Sequence, residues 1–338
     1  MTPPPASEAP QGRRFRSQPL VSDIFIADPS AHHFAGRIYV YGSHDVDGTT
    51  PEDDLGSHFE MRDYQVISMD QVGGPVTVHP VALDVDDVPW AEKQMWAPDA
   101  ASKDGRYFLY FPAKDRDGVF RIGVATGDRP EGPFRAEPQP IQGSFSIDPA
   151  VFTDEDGASY MYFGGIWGGQ LQRWASGRYD PHGSKTDLQR DAEPALSPKV
   201  ARLTEDMLQF AEPPRDAPIL DERGLPLLGG DHDRRFFEAA WMHKHAGQYY
   251  LSYSTGDTHV LAYATSLSPY GPFTYRGCIL EPVQGWTTHH SILRADDRWY
   301  LFYHDTQLSG RTHLRSAKVT ELVHRPDGTI ETIDPFVT

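Results

Sequence analysis

A short phrase recurs five times along this chain, and it leaves few folds open. The copies are Gly36-Arg-Ile-Tyr-Val-Tyr-Gly, Gly105-Arg-Tyr-Phe-Leu-Tyr-Phe, Gly157-Ala-Ser-Tyr-Met-Tyr-Phe, Gly247-Gln-Tyr-Tyr-Leu-Ser-Tyr and Asp297-Arg-Trp-Tyr-Leu-Phe-Tyr. Each opens on a turn residue and continues through aromatic and aliphatic residues of high strand propensity. Their starts lie 69, 52, 90 and 50 residues apart, room for one four-stranded sheet and its loops per copy. Self-similarity at such intervals marks an array of like units.

A second element precedes each copy and carries an acidic or imidazole side chain. These are Ile26-Ala-Asp28-Pro-Ser, Met95-Trp-Ala-Pro-Asp99, Ser146-Ile-Asp148-Pro-Ala-Val, Phe237-Glu238-Ala-Ala-Trp and Thr288-His289-His290-Ser-Ile. A polar-tipped strand, a turn and a strongly apolar strand are what a propeller blade requires, with the innermost strand lining the axis. The expected fold is therefore an all-β, five-bladed β-propeller over residues 20–338, aiming five polar residues into one central cavity. Residues 1–19 are proline-rich and read as a flexible N-terminal arm or an extended strap. Residues 204–210 could form a turn or two of helix with Thr204 as N-cap. The polar interval 178–235 reads as an elaborated blade connection that shapes the pocket rim, not as a separate domain.

With 48 acidic and 31 basic residues the formal net charge is −17, a field that repels a phosphate backbone and makes nucleic acid a poor partner. The single cysteine, Cys278, rules out an intramolecular disulfide and reads as a small half-buried hydrophobe. No window approaches 18 uninterrupted apolar residues, so no membrane partner is expected. The first 20 residues lack the apolar centre of a signal peptide, and the chain as given reads as cytoplasmic. GxSxG, P-loop, GxGxxG and HExxH motifs and cysteine clusters are all missing, which argues against serine-nucleophile chemistry, organic cofactors and zinc.

Asp28, Asp148 and Glu238 come from three different repeats yet hold equivalent positions. A lone Asp-Pro is ordinarily a turn, but three acids in register on one inferred axis suit paired acid and base work. Glu238 sits in Arg-Phe-Phe-Glu-Ala-Ala-Trp-Met. Such apolar surroundings raise a carboxyl pKa and favour a proton donor.

The phrases ADPSAHHFAGRIYVYGSHD, MWAPDA, SIDPAVF, FFEAAWMHKHAGQYYLSYSTGDTH and GWTTHHSI resemble glycoside hydrolase family 43, in the family's order and over about residues 20–338. The chain is most similar to the single-domain β-xylosidase-like members. The resemblance implies an inverting hydrolase with Asp28 as general base, Glu238 as general acid and Asp148 orienting the acid. An inverting pair stands roughly 6.5–9.5 Å apart to admit a water. It also implies exo-acting release of xylose from β-1,4-xylo-oligosaccharides, with an α-L-arabinofuranosidase or a bifunctional enzyme as the rival. A non-catalytic glycan-binding propeller is the reading from another class. His289 matches the family histidine that faces a central Ca²⁺ or its waters, with His290 as the alternative. His32/His33 and His243/His245 read as loop or strand-face residues without convergent partners.

Sugars present an apolar face and a hydroxyl rim, so their pockets combine aromatic platforms with a few polar groups. Trp96 and Trp167 are the expected platforms, with Phe145, Trp286 and His44 as lesser candidates. Arg315 resembles the family arginine beside the base, and Arg311 competes for that position. Homo-oligomers are common in the family, so a homo-oligomer is a further expectation.

Overall fold

The computed structural model describes residues 12–188 and 190–338. Five antiparallel sheets follow one another along the chain as blades, joined by a two-stranded ladder between the chain ends. The inner strands are Ile26–Phe34, Asp99–Lys103, Ala150–Thr153, Glu238–His245 and His290–Ala295. Each pairs antiparallel with the strand that carries one copy of the recurring phrase. This is the five-bladed propeller that the repeats imply, and among the described residues no α-helix occurs.

The phrase works because its first residues set the turn and its later ones fill both faces of a strand. At Ala35-Gly36, Asp104-Gly105, Ala246-Gly247 and Asp296-Asp297 both central residues have φ between 48° and 82°. Two positive φ values in succession make a type I′ turn, whose twist matches that of the paired strands. Beyond the turn the second strand is sandwiched between blades. Ile38, Tyr39, Val40 and Tyr41 are all buried, as are Phe108 to Phe111 and Tyr160 to Phe163. Burial on both faces explains why these strands read as unbroken apolar runs instead of alternating.

Tyrosines at the sixth residue of the phrase tie one blade to the next. Tyr41 Oη donates to Pro130 O at 2.6 Å, Tyr110 Oη to Met207 O at 3.0 Å and Tyr162 Oη to Pro269 O at 2.6 Å. Each buried hydroxyl is thereby satisfied at a seam between blades. The ring closes where the two chain ends meet: Arg14–Phe15 pairs with Phe336–Val337. Arg13 pairs with Asp334, Leu20 N donates to Ala317 O, and Lys318 Nζ lies over the Phe15 ring. Residues 12–19 of the expected arm therefore run as a strap along the last blade. Its residues 1–11 lie outside the described residues.

Two expectations need correction. Residues 204–210 form a looped turn and no helix, closed by a bridge between Leu203 and Phe210. The Thr204 hydroxyl accepts from Gln209 N and donates to Asp206, a side-chain alternative that competes with helical bonding. The 178–235 interval also carries ladder strands of its own. Lys199–Arg202 and Arg215–Asp216 complete the third blade, and Ile219–Leu220 adds in parallel to Phe273–Leu280 of the fourth.

Candidate active site

Strand bulges aim the acids at the axis. The ladder register slips between Ala27 and Ser30 in the first blade and between Glu238 and Trp241 in the fourth. Asp28, Asp148 and Ala239 take left-handed φ values of 53°, 57° and 59°. A non-glycine residue held there costs roughly 1–3 kcal/mol, and bulges commonly re-aim side chains at functional positions. Asp28, Asp148, Glu238 and His289 then line one cavity of about 530 Å³, open mouth included. Arg315, Trp96, Trp167, Phe237 and Trp286 share the lining.

The two outer acids sit in opposite electrostatic surroundings. Asp28 Oδ1 accepts from Arg315 Nη1 at 2.9 Å, Oδ2 accepts from Ser43 Oγ, and its backbone N–H donates to His304 Nδ1 at 3.0 Å. Burial alone would raise the Asp28 carboxyl, but Arg315, then His304 and His289, then the Ser43 hydrogen bond, bring it below its ordinary value. Burial first, and then the negative charge of Asp28, push the Glu238 carboxyl up to about 8, while Arg315 lowers it by less than these raise it. Asp148 is also raised, by burial and then by the charge of Glu238. Its Oδ2 accepts from Ala239 N at 2.8 Å and so fixes the backbone beside Glu238. One site thus holds a carboxylate and a carboxylic acid at neutral pH.

Aromatic rings form the wall. Trp167 and Trp286 stand 5.9 Å apart between centroids, and Phe237 lies 5.2 Å from Trp167 and 5.9 Å from Trp286. On the other side Trp96 is held by its indole N–H, which donates to Phe59 O at 3.0 Å. The Gly168 backbone packs so closely on Leu55 that an added Cβ would lie 2.4 Å from Leu55 O. Two loops from different blades therefore touch at the rim and close the cavity on that side.

Several sequence expectations land elsewhere. Phe145 stacks on Trp174 at 4.8 Å and meets Phe163 edge-on, so it belongs to the core and does not line the cavity. His44 hydrogen-bonds Asp63 at 3.0 Å, also outside the lining. Asp99 is not in the cavity wall. It lies buried, accepting from Ser30, His32 and Val151 N, and links three inner strands. Of His289 and His290, His289 lines the cavity, while His290 Nε2 is bonded to Ser252 at 2.6 Å. Arg311 is surface-exposed and pairs with Asp47, which leaves Arg315 as the arginine beside Asp28. His243 and His245 do have partners: they cluster with His324 and Trp299.

Sequence reasoning missed Asp45. Fully buried, it accepts Arg315 Nε and Nη2 at 2.8 Å each and Arg315 N at 2.7 Å. It sets the guanidinium that in turn sets Asp28.

His289 Nδ1 is buried with no hydrogen-bond partner. Calcium takes about six to eight oxygen ligands. Among the described residues no group of three or more His, Cys, Asp or Glu side chains is arranged to hold a metal. One imidazole nitrogen does not fit a directly caged Ca²⁺.

Residues 18–330 match the family model of Glycosyl hydrolases family 43. The chain belongs to that family. It is 57 % identical over 325 residues to a xylosidase/arabinosidase from Humicola insolens, with 94 % of this chain and 99 % of the relative covered. A β-xylosidase from Xylanibacter ruminicola is 51 % identical, covering 91 % of this chain and 97 % of the relative. Among solved structures, a family 43 β-xylosidase/α-arabinofuranosidase from a compost microbial metagenome superposes with a TM-score of 0.95. It shares 63 % identity, over 96 % of this chain and all of the other, and is described as a xylotriose complex in calcium-free form. A family 43 enzyme from Xanthomonas citri in complex with xylotriose gives a TM-score of 0.89 at 58 % identity, over 95 % and 94 % of the two chains.

Proposed function

We propose that this family 43 protein is an inverting exo-glycosidase that releases xylose from β-1,4-xylo-oligosaccharides. The carrying observation is the pair of opposed carboxyls in one cavity, Asp28 kept ionised and Glu238 kept protonated. Glu238 gives its proton to the glycosidic oxygen as the bond from that oxygen to the anomeric carbon breaks. Asp28 takes a proton from a water that attacks the same carbon from the opposite face, so the product carries the inverted configuration. The site ends with Asp28 protonated and Glu238 ionised, and exchange with solvent resets both. Asp148 acts through the Ala239 N–H by holding the strand that presents Glu238.

The loop contact at Gly168 and Leu55 supports exo action, because a cavity closed on one side takes a chain end more readily than a chain interior. The names of the relatives and the xylotriose complexes support xylose, and several relatives join arabinose to it. Bifunctional action on α-L-arabinofuranosides is accordingly the second reading. The retained acid set weighs against a non-catalytic binding propeller. Proton NMR of the first sugar released from p-nitrophenyl β-D-xylopyranoside should show the α-anomer. Release of β-xylose first would overturn the inverting mechanism. Turnover of the matching α-L-arabinofuranoside measures the second activity. Calcium stands apart from this chemistry: a Ca²⁺ titration followed by tryptophan fluorescence tests whether His289 meets a cation, and a flat titration denies it.

A further inference from the structure

The sequence interval 178–235 enters the site through one carboxylate. Asp187 Oδ1 accepts from the indole N–H of Trp167 at 3.2 Å, and its Oδ2 accepts from Arg235 Nη2 at 3.3 Å. Arg235 is 2 % exposed and stands three residues before Glu238, with its guanidinium 5.6 Å from the Phe237 ring. Its Nε and Nη1 have no hydrogen-bond partner, and its other nearby carboxylate is Asp257, 3.6 Å from Nη2. Gln172 Nε2 fixes the same loop by bonding Trp167 O, Ser184 O and Lys185 O.

The bond to Asp187 is the hydrogen bond made by the Trp167 indole N–H. Trp167 sits at φ 54° within Gly164-Gly-Ile-Trp-Gly-Gly, and its ring forms the cavity wall with Phe237 and Trp286. An indole that projects from a glycine-flanked turn needs a fixed hydrogen bond to keep one face toward the sugar. We propose that Asp187 is a positioning residue that sets the Trp167 platform and couples it to the Arg235–Glu238 segment that leads into the inner strand of the fourth blade. Through it the long interval of the third and fourth blades sets how tightly the pocket grips its sugar. The inference rests on the reading of Trp167 as a sugar platform.

The test separates the two. Asp187→Ala should raise KM for p-nitrophenyl β-D-xylopyranoside about tenfold while kcat changes less than about threefold, the signature of lost binding in ground and transition states alike. In a Trp167→Phe background, which lacks the indole N–H, adding Asp187→Ala should change KM by less than about twofold, since the two act through one bond. Effects that multiply across the two substitutions would overturn the inference and mark Asp187 as a merely structural carboxylate. If Asp187→Ala does not fold, Asp187→Leu, which also lacks the acceptor, carries the same double-substitution test. Should Trp167→Ala leave KM unchanged, the platform reading itself fails. Should Trp167→Ala raise KM while Asp187→Ala does not, only the role of Asp187 fails.

Discussion

Asp28 and Glu238 are near-identical carboxyls that their neighbours drive in opposite directions, and the pH profile should record it. On the proposed mechanism, activity needs Asp28 deprotonated and Glu238 protonated. As pH falls through the lowered Asp28 value the base is lost, and as pH rises through about 8 the acid is lost. A bell-shaped kcat/KM profile is expected, with an acid limb below the ordinary carboxylate range. Because Asp148 is raised as well, the alkaline limb belongs to the Asp148–Glu238 pair together. Arg315→Met removes the cation that holds Asp28 ionised. The acid limb should then move up by about 1–2 pH units in stopped assays of kcat/KM. Glu238→Gln keeps the shape and deletes the transferable proton, so kcat should fall on the order of 10²–10⁴-fold with the melting temperature little changed. An unaltered rate would remove Glu238 from the acid role. The three acids were legible in the sequence because each occupies one position of a repeat. Asp45 was not, since a single aspartate in His-Asp-Val-Asp has no periodicity, and only tertiary closure brings it to Arg315. Phe145 misled for the complementary reason: an aromatic beside an axis motif packs as readily against Trp174 as against a ligand.

At the scale of the elements, loops shape the pocket and strands merely carry it. Gly168→Ala would place a methyl 2.4 Å from Leu55 O and force the two rim loops apart. A displacement near 1 Å is enough to spoil a sugar site, so KM for xylobiose should rise about tenfold or more. Isothermal titration with xylose gives an independent check. Tyr162→Phe would empty one seam between blades. The Pro269 carbonyl loses its donor, and urea unfolding should show a loss of about 1–2 kcal/mol with kcat unchanged. Strands and turns were readable because the recurring phrase opens, in four of its five copies, on the second residue of a type I′ turn and continues into a doubly buried strand. The 178–235 interval was opaque. Its strands are two to four residues long, and long-range pairing, not local propensity, decides where they go.

The whole molecule is a ring whose last seam is made by its two ends. Phe15 and Phe336 meet at 5.4 Å between centroids, and Phe336 is buried. Phe336→Ala should cost about 2–3 kcal/mol, somewhat under the value for a full core site, and urea unfolding followed by tryptophan fluorescence will measure it. The net charge of −17 leaves neutral sugars indifferent. The meeting of the ends also bears on how the protein is made. The contact between Arg13 and Asp334 spans 321 positions of the chain, so it closes a loop nearly as long as the polypeptide itself. A nascent chain that has not yet reached Phe336 lacks this clasp, although His304 and Arg315 of the last blade already bond Asp28 of the first. The clasp is fastened only after all five blades have been made.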